Sequence, residues 1–413
     1  MELADIDLLD RDTFVKRMPH DWFAYLRKNA PIYRHPEPDG PGFWVFSRHR
    51  DVVALNRNWE NYSSDDRKGG VVELESSPER AAAAAALNGE GRMMLTMDPP
   101  EHTRYRKLVN RGFTPRVIRS LEDHLREASV RIIENALDKN GGQVDFVVDV
   151  AAELPLMAIA EFLGVPYEDR HKMFDWSNKM IGTDDPEYAV SPEDVQGAYY
   201  QMFMYANALG ADRRANPRED IVSMLVHGEV DGDKLTEMDF DMFFLLLTVA
   251  GNETTRNALS QGMAALLEHP EQYQKMVDDP SIIGATAVDE VLRYGSPVMY
   301  FRRNVNEDVE YEGHHIAAGD KVTLWYVSAN RDESVFENPN TFDVLRATNP
   351  HVAFGGGGPH SCIGMHLARL EMKVLFEELV ARVPRIEQLA EPVRLRSNFI
   401  NGVKHLQVRL VTS

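Results

Sequence analysis

The sequence is organised around one stretch near its C-terminal end, Phe354-Gly355-Gly356-Gly357-Gly358-Pro359-His360-Ser361-Cys362-Ile363-Gly364. Cys362 is the only cysteine among 413 residues. Four consecutive glycines allow the backbone to turn tightly and to come close to a flat or bulky group. Apolar residues at helical spacing follow, namely Leu367, Leu370, Val374 and Leu379. The stretch therefore predicts a tight loop that presents one thiol at the start of a helix.

A thiol at a helix start has several chemical uses. The free backbone N–H groups and the positive dipole end of the helix favour the thiolate form of Cys362. Such a thiolate is a nucleophile, a metal ligand or the axial ligand of a haem iron. The structural alternative for a lone cysteine is a small, buried apolar residue. The surrounding sequence has to decide between these interpretations.

The stretch resembles the cysteine loop of the cytochrome P450 family, which has an aromatic residue, glycines and a basic residue before its cysteine. In most of that family the aromatic residue lies one position nearer the cysteine than Phe354 does. Either this loop has one extra residue or Gly355 takes the aromatic position. The resemblance implies that Cys362 ligates the haem iron. It also implies haem contacts for Phe354, Gly358, His360 and Gly364.

Basic residues at two further places match the family. Pro100 favours a helix start, and His102 and Arg106, four residues apart, share one face of that helix. Two cations on one face bind carboxylates, or else form an exposed basic surface. The family pattern implies that both bind the haem propionates. Another propionate-binding arginine is implied in a later strand, where Arg303 matches best and the adjacent Arg302 is the alternative.

A long apolar helical pattern contains the run Ala250-Gly251-Asn252-Glu253-Thr254-Thr255. A mid-helix glycine costs about 1 kcal/mol relative to alanine, so Gly251 indicates close approach of a ligand or a local opening. An acid beside a hydroxyl is a possible proton relay. The structural alternative is a surface Glu253 and a Thr254 that bonds back to its helix. The run matches the oxygen-activation motif of the family, which implies Gly251 beside haem and a relay through Glu253 and Thr254.

Glu290 and Arg293 lie three residues apart in another helical pattern. Such a pair is usually an exposed ion pair of small energetic value. In the family, the corresponding Glu-x-x-Arg pair stabilises the fold together with a second, downstream arginine. Arg346 stands at the matching position. The resemblance therefore implies a structural role for all three residues.

The predicted substrate cavity is apolar. By analogy with the family, four segments line it, and none of them offers a charged group to a substrate carboxylate. Apolar contact is non-directional, so such a cavity selects for size and shape. This predicts a large, mostly apolar substrate, with a terpenoid as the alternative. The lining residues are Met93, Met94, Leu95, Phe243, Leu247, Val249, Val298, Met299, Tyr300, Phe301, Phe399 and Ile400.

Composition narrows the class of protein. A net charge of −20, without any run of Lys or Arg, argues against a nucleic-acid partner. One cysteine allows no internal disulfide, which fits the cytoplasm. Residues 1–12 lack a signal-like apolar core, and the most apolar run, residues 240–251, is too short to serve as a membrane anchor. No linker or repeat divides the chain, so we expect a single domain over residues 1–413.

The motifs together identify the chain as a member of the cytochrome P450 family. The resemblance implies a mainly α fold with small β-sheets (α+β), in which a large helical region adjoins a smaller β-rich region. Haem b would lie between the long central helix and the cysteine-loop helix, and O2 would be the co-substrate of a monooxygenase. The closer resemblance is to bacterial hydroxylases of steroid side chains or methyl-branched lipids. It rests on residues 250–257, 325–334, 349–351 and 401–404.

Electrons have to come from another protein, because the chain lacks the four cysteines of an iron–sulfur cluster and shows no flavin module. We expect a ferredoxin with its NAD(P)H-dependent reductase, acting on a monomer. A basic docking surface is predicted from Arg104, Lys107, Arg111, Arg369 and Lys373. Two alternatives stay open: a haem-thiolate enzyme that uses peroxide, and a haem-binding sensor without turnover.

Overall fold

Helices dominate the fold, and small sheets flank them. The computed structural model describes residues 1–76, 92–189, 191–230 and 232–412. Within these residues the helices are α1 (Arg11–Lys16), α2 (His20–Asn29), α3 (His49–Arg57), α4 (Glu101–Asn110), α5 (Pro115–Arg119), α6 (Glu122–Asp138), α7 (Glu153–Leu163), α8 (Arg170–Ile181), α9 (Pro192–Ala215), α10 (Ile221–His227), α11 (Glu237–Glu268), α12 (Pro270–Asp278), α13 (Val288–Gly295), α14 (Tyr326–Ala329) and α15 (Met365–Arg382). The predicted α+β class with a large helical region is confirmed.

The strands form one larger sheet and several small ones. They are β1 (Ile32–His35), β2 (Phe43–Phe46), β3 (Tyr62–Ser63), β4 (Gln143–Asp145), β5 (Glu229–Val230), β6 (Asp233–Lys234), β7 (Tyr300–Val305), β8 (Val309–Tyr311), β9 (His314–Ile316), β10 (Lys321–Trp325), β11 (Arg385–Gln388), β12 (Val393–Arg394), β13 (Val403–His405) and β14 (Gln407–Val411). The larger sheet has the order β1-β2-β10-β7-β3. Only β10 and β2 run parallel in it, so most of its ladder is antiparallel.

Buried apolar residues form three clusters. The largest lies between the helices, a second contains Phe14, Phe23 and Trp325, and a third covers the outer part of the larger sheet. The single domain over residues 1–413 stays a prediction. Among the described residues, no helix combines the length and the apolar character that crossing a membrane requires.

Helix α11 is the longest element described, at 32 residues. It begins with a capping box, in which the Asp239 N–H donates to Thr236 Oγ1 at 3.1 Å and the Thr236 N–H donates to Asp239 Oδ2 at 3.3 Å. Two glycines let other helices approach closely. A Cβ on Gly251 would lie 2.9 Å from Ile159 of α7, and one on Gly262 would lie 2.5 Å from Val291 of α13. Helix packing therefore accounts for Gly251, and its predicted contact with haem stays a prediction.

A buried ion-pair network joins α13 to the chain that leads into the cysteine loop. Arg293 and Glu290 form a two-point pair with both N···O distances at 2.8 Å, and both side chains are 0% exposed. Arg346 Nε donates to Glu290 Oε2 at 3.1 Å. Arg293 also donates to the carbonyl oxygens of Asn330 and Pro339. The structure thus brings the three predicted residues together, and their contacts connect α13 to the irregular segment that precedes the cysteine loop.

The loop between α8 and α9 is held by charged contacts with the C-terminal strands. Lys404 Nζ contacts Asp185 Oδ1 at 3.0 Å and Glu187 Oε2 at 2.6 Å. The ring nitrogens of His405 lie 2.6 Å from Asp145 Oδ2 and 2.7 Å from Glu187 Oε1. Burial disfavours the charged imidazole, but hydrogen bonds and attraction to the two carboxylates outweigh it, and the pKa of His405 is raised.

We expect Arg293→Ala to prevent accumulation of folded protein, because it leaves the Glu290 carboxylate buried without its main partner. The loss in free energy of unfolding should be about 3–5 kcal/mol. Arg17→Ala is the control, since Arg17 pairs with Asp21 on a helix surface where both side chains are nearly half exposed. That change should cost less than about 1 kcal/mol. Similar chemical denaturation midpoints for the two variants would contradict the structural role.

His405→Asn should destabilise the protein more at low than at high pH. An unfolded histidine titrates near pH 6.5, and the folded pKa is higher. The contacts therefore contribute fully below about pH 6.5, and the contribution is lost as pH rises through the folded pKa. Urea denaturation at about pH 6 and about pH 9 measures the difference between wild type and variant. A difference that grows with pH would contradict the assignment; His124→Asn, at an exposed pair with Glu161, is the control.

Candidate functional site

The four glycines of the cysteine loop all have positive φ. Their φ angles are 97°, 67°, 110° and 83° from Gly355 to Gly358. A Cβ on Gly358 would lie 2.2 Å from the carbonyl oxygen of Asn56, and one on Gly357 would lie 2.8 Å from Arg57 Nε. The last turn of α3 therefore packs directly against the loop backbone. Both the backbone conformation and the close contact require glycine here.

The loop is closed by a hydrogen bond between its two ends. The Cys362 N–H donates to the carbonyl oxygen of Phe354 at 3.0 Å. The Arg369 guanidinium lies 4.6 Å from the centre of the Phe354 ring, and the His351 ring lies 5.8 Å from it. Phe354 thus adjoins Cys362 at the two ends of a loop whose four glycines have left-handed φ angles. The contact of this ring with haem stays a prediction.

The Cys362 side chain is accessible, although many protein groups lie around it. Burial raises the pKa of the Cys362 thiol, and the Gly364 N–H together with Arg106 and Arg369 opposes this only in part. The N–H at the helix start thus favours the thiolate, as expected, but burial outweighs it. A metal cation supplies the charge that deprotonates a coordinating thiol.

Helix α11 offers an accessible strip in its middle. Ala250 is exposed and Thr254, one turn later, is partly buried, whereas Asn252, Glu253 and Thr255 are buried. Thr254 Oγ1 donates to the carbonyl oxygen of Ala250 at 2.8 Å. The back-bond to the helix that the structural alternative predicted is thus present, and it leaves the hydroxyl oxygen on the accessible strip.

Glu253 lies on another side of α11 and is 1% exposed. It pairs with Arg256, whose Nη1 donates to Asn178 Oδ1 of α8 at 2.6 Å. Burial raises the pKa of Glu253, and attraction to Arg256 opposes it. Glu253 Oε1 has no hydrogen-bond partner among the described residues. The alternative of a surface Glu253 is therefore wrong. The structure forms no hydrogen bond between this carboxylate and Thr254 in the described part of the chain, and the relay stays a prediction.

Four basic side chains meet beside the cysteine loop. The rings of His102 and His360 lie 4.2 Å apart. Arg106 donates to the carbonyl oxygens of Pro359 and Ser361 at 2.9 and 2.6 Å, and Arg303 is 4% exposed. Within the described residues, none of the four basic groups forms an ion pair with a carboxylate. The predicted site residues on α4, on β7 and in the loop therefore come together.

The two histidines of this cluster are held in the neutral form. Burial, and next the charge of Arg106, lower the pKa of His102 to about 4. Burial, followed by Arg303 and His102, also lowers the pKa of His360 well below its usual range. His102 Nδ1 and His360 Nε2 are buried and have no hydrogen-bond partner in the part of the chain that is described. An anion that accepts hydrogen bonds would satisfy both.

Arg302 points away from this cluster. Its Nη1 donates to the carbonyl oxygen of Glu73 at 2.5 Å, and its Nη2 donates to Asn304 Oδ1 at 2.6 Å. Neighbouring residues of a strand face opposite sides of the sheet, so only one of the two arginines can face the loop. That residue is Arg303. Its role toward a propionate stays a prediction.

The twelve predicted cavity residues are divided among several parts of the core. Met94, Phe243 and Leu247 belong to the helical core. Met299 and Tyr300 instead pack in the N-terminal core, where the Tyr300 hydroxyl donates to the carbonyl oxygen of Val72 at 2.8 Å. These two contact the predicted cavity residue Phe399, since the Met299 N–H donates to its carbonyl oxygen at 2.8 Å and the Tyr300 ring lies 5.4 Å from its ring. The remaining seven lie at the edges of the cores or between segments, and they are Met93, Leu95, Val249, Val298, Phe301, Phe399 and Ile400.

Comparison with known proteins decides the family. The profile of the family described as Cytochrome P450 matches residues 283–383. The steroid C26-monooxygenase of Rhodococcus jostii (strain RHA1) is 42% identical over 98% of this chain and 85% of its own length. The methyl-branched lipid omega-hydroxylase of Mycobacterium tuberculosis (strain ATCC 25618 / H37Rv) is 40% identical over 99% and 94%. The chain belongs to the cytochrome P450 family.

Solved structures of cytochromes P450 share the whole architecture. The Mycobacterium marinum cytochrome P450 CYP268A2, solved with pseudoionone, has a TM-score of 0.90 and 37% identity, covering 98% of both chains. The CYP108D1 structure from Novosphingobium aromaticivorans has a TM-score of 0.88 and 32% identity, covering 98% and 97%. This cytochrome P450 is a monooxygenase whose cofactor is haem b and whose co-substrate is O2. It acts on a small molecule and takes electrons from redox partners.

The residues present fit haem b. The unpartnered His102 Nδ1 and His360 Nε2 and the cations Arg106 and Arg303 match the carboxylates that the cofactor carries. Cys362 offers the sulfur that ligates haem iron in this family. These five residues would hold the group, and no other cysteine competes for the metal.

We expect Cys362→Ser to abolish the red-shifted carbon-monoxide band of the reduced cytochrome P450, because that band depends on a thiolate ligand. Ser361→Ala, next to it in the loop, is the control and should keep the band. The measurement is the reduced, CO-bound difference spectrum of equal amounts of haem-loaded protein. A retained band in Cys362→Ser would show that the ligand lies elsewhere.

Proposed function

We propose that this cytochrome P450 hydroxylates an unactivated C–H bond at the branched aliphatic end of a large apolar molecule. The substrate is a steroid side chain of the cholesterol or cholestenone type, or a methyl-branched lipid. The observation that carries the proposal is the similarity, at 42% and 40% identity over nearly the whole chain, to enzymes named for those two substrates. The apolar character of the predicted cavity residues supports it.

Haem supplies the activation of O2 when it is bound, and residues of the chain deliver protons and control how substrate reaches the site. The Thr254 hydroxyl lies on the accessible strip of α11 and holds its hydrogen bond to the helix. Burial raises the pKa of Glu253, so this carboxyl group holds a proton more readily than an exposed one and is suited to act as a proton carrier. The transfer requires the carboxyl group to leave Arg256 or a water molecule to bridge it to Thr254.

Electrons come from a ferredoxin and its reductase, and the enzyme acts as a cytoplasmic monomer. Of the predicted docking surface, Arg104, Lys107 and Arg111 line one cleft of about 390 Å³ between α4 and α10. The other two members lie outside this cleft, where Arg369 pairs with Asp289 and Lys373 pairs with Glu122. We therefore centre the proposed docking surface on the cleft beside α4, where three of the five residues lie together. Acidic groups on a ferredoxin would complement it.

Thr254→Ala should separate substrate binding from product formation. The variant should bind substrate and consume NAD(P)H, but lose roughly tenfold or more in product formed per NAD(P)H, because the hydroxyl no longer directs protons. Thr255→Ala, at the buried neighbouring position, is the control. Coupling in Thr254→Ala equal to wild type would remove the hydroxyl from the proton path. Undiminished turnover with peroxide alone would favour the peroxide-using alternative.

The substrate class is tested by titration of the ferric enzyme with a cholestenone, a methyl-branched fatty acid, pseudoionone and a monoterpene alcohol. We expect a low-to-high-spin shift at micromolar concentration for one of the first two, and terminal hydroxylation of it with ferredoxin, reductase and NAD(P)H. A shift and product with pseudoionone or the monoterpene alcohol alone would overturn the substrate proposal in favour of a terpenoid. Binding without any product under reducing turnover would favour a sensor.

A further inference from the structure

One buried side chain connects two parts of the haem site that lie far apart in the sequence. Asn56 is the penultimate residue of α3 and is 5% exposed. Its Nδ2 donates to the carbonyl oxygen of Gly355 at 2.7 Å. Its Oδ1 accepts a hydrogen bond from Arg303 Nη2 at 3.1 Å. One amide group thus holds the cysteine loop on one side and the buried guanidinium on the other.

The position of Asn56 is itself fixed. Its Nδ2 also lies 3.2 Å from the hydroxyl oxygen of Tyr326, which is 2% exposed. Its backbone carbonyl oxygen occupies the space into which a Cβ on Gly358 would project, at 2.2 Å. The side chain and the backbone of the same residue therefore both contact the loop. Because Asn56 is held in place, its hydrogen bonds also fix the positions of the groups that it contacts.

Arg303 has only neutral acceptors among the described residues. Its Nη1 donates to the carbonyl oxygen of Arg302 at 2.7 Å, and its Nη2 donates to Asn56. Tyr326 is a further neutral partner. Asp98 attracts the Arg303 guanidinium but forms no ion pair with it. A buried cation without a close counter-charge is unfavourable, so this guanidinium suits a carboxylate of the bound haem. Asn56 sets which way the guanidinium points without placing a further negative charge next to it, as an acidic residue at position 56 would.

We propose that Asn56 is a positioning residue of the haem site. It orients Arg303 toward a haem carboxylate and keeps the cysteine loop at the place where Cys362 ligates the iron. The proposal concerns the cofactor and stands apart from the choice of substrate.

The first test replaces the amide by an apolar group of similar size. In haem-loaded Asn56→Leu we expect haem to transfer to apomyoglobin about tenfold faster than from wild type, because hydrogen bonds to charged groups are lost. The reduced, CO-bound spectrum should gain the shorter-wavelength band of a perturbed thiolate. Asn58→Leu, two residues later and exposed, is the matched control and should match wild type in both measurements.

The second test keeps the size and polarity and adds a charge. The carboxylate of Asn56→Asp would pair with Arg303 and divert it from the haem. The loss of positive charge at the cofactor favours the ferric form, so the reduction potential of the haem should fall relative to wild type. Asn58→Asp adds the same charge at the surface and should leave the potential unchanged. A potential reports on the cofactor and would not move with a general loss of stability.

Two results would overturn the proposal. The first is unchanged haem transfer and an unchanged reduction potential in both variants at position 56. The second is failure of both to fold while the two variants at position 58 fold normally, which would make Asn56 a determinant of the fold alone. A lower thermal midpoint that accompanies the first result would assign Asn56 a purely structural role.

Discussion

The site depends on two arginines, one partly and one fully buried, that form no ion pair with a carboxylate of the described residues. Arg106 and Arg303 lie beside the cysteine loop, and both donate to neutral oxygens there. Burial keeps His102 and His360 neutral, with one nitrogen of each unpartnered in the described part of the chain. An arrangement of this kind is unfavourable by itself and becomes favourable when an anion enters. The basic residues of the site thus favour binding of an anionic cofactor.

A different part of the chain provides the rigidity that this charge requires. Glu290, Arg293 and Arg346 form a network in which one buried carboxylate binds two guanidinium groups, and the network anchors the segment preceding the cysteine loop. The glycines of the loop then follow a path that only glycine can adopt while α3 packs against it. Arginines that pair with a buried carboxylate stabilise the fold, whereas the basic residues without an ion pair would bind the cofactor. The two sets do not share a residue.

The resemblance of several motifs to one family was sufficient for the fold class and the family, and spacing indicated the helical pairs. His102 with Arg106 and Glu290 with Arg293 were evident because a helix turns residues three or four apart to one side. Partners distant in sequence carry no such signal. The opposite orientations of Arg302 and Arg303, the buried pair of Glu253 with Arg256, and the position of Asn56 all depend on which elements pack together. The direction in which the pKa of Cys362 shifts could not be predicted either, because it depends on burial.

The contacts that build the haem site span most of the chain. The hydrogen bond from Asn56 to Gly355 joins residues 299 positions apart, and that from Arg106 to Ser361 joins residues 255 apart. During synthesis, α3 and α4 leave the ribosome long before the loop that they contact. The site therefore cannot close until almost the whole polypeptide has been made, and haem capture has to be a late event in biogenesis. Until then the cations of α4 and β7 have only water to solvate them.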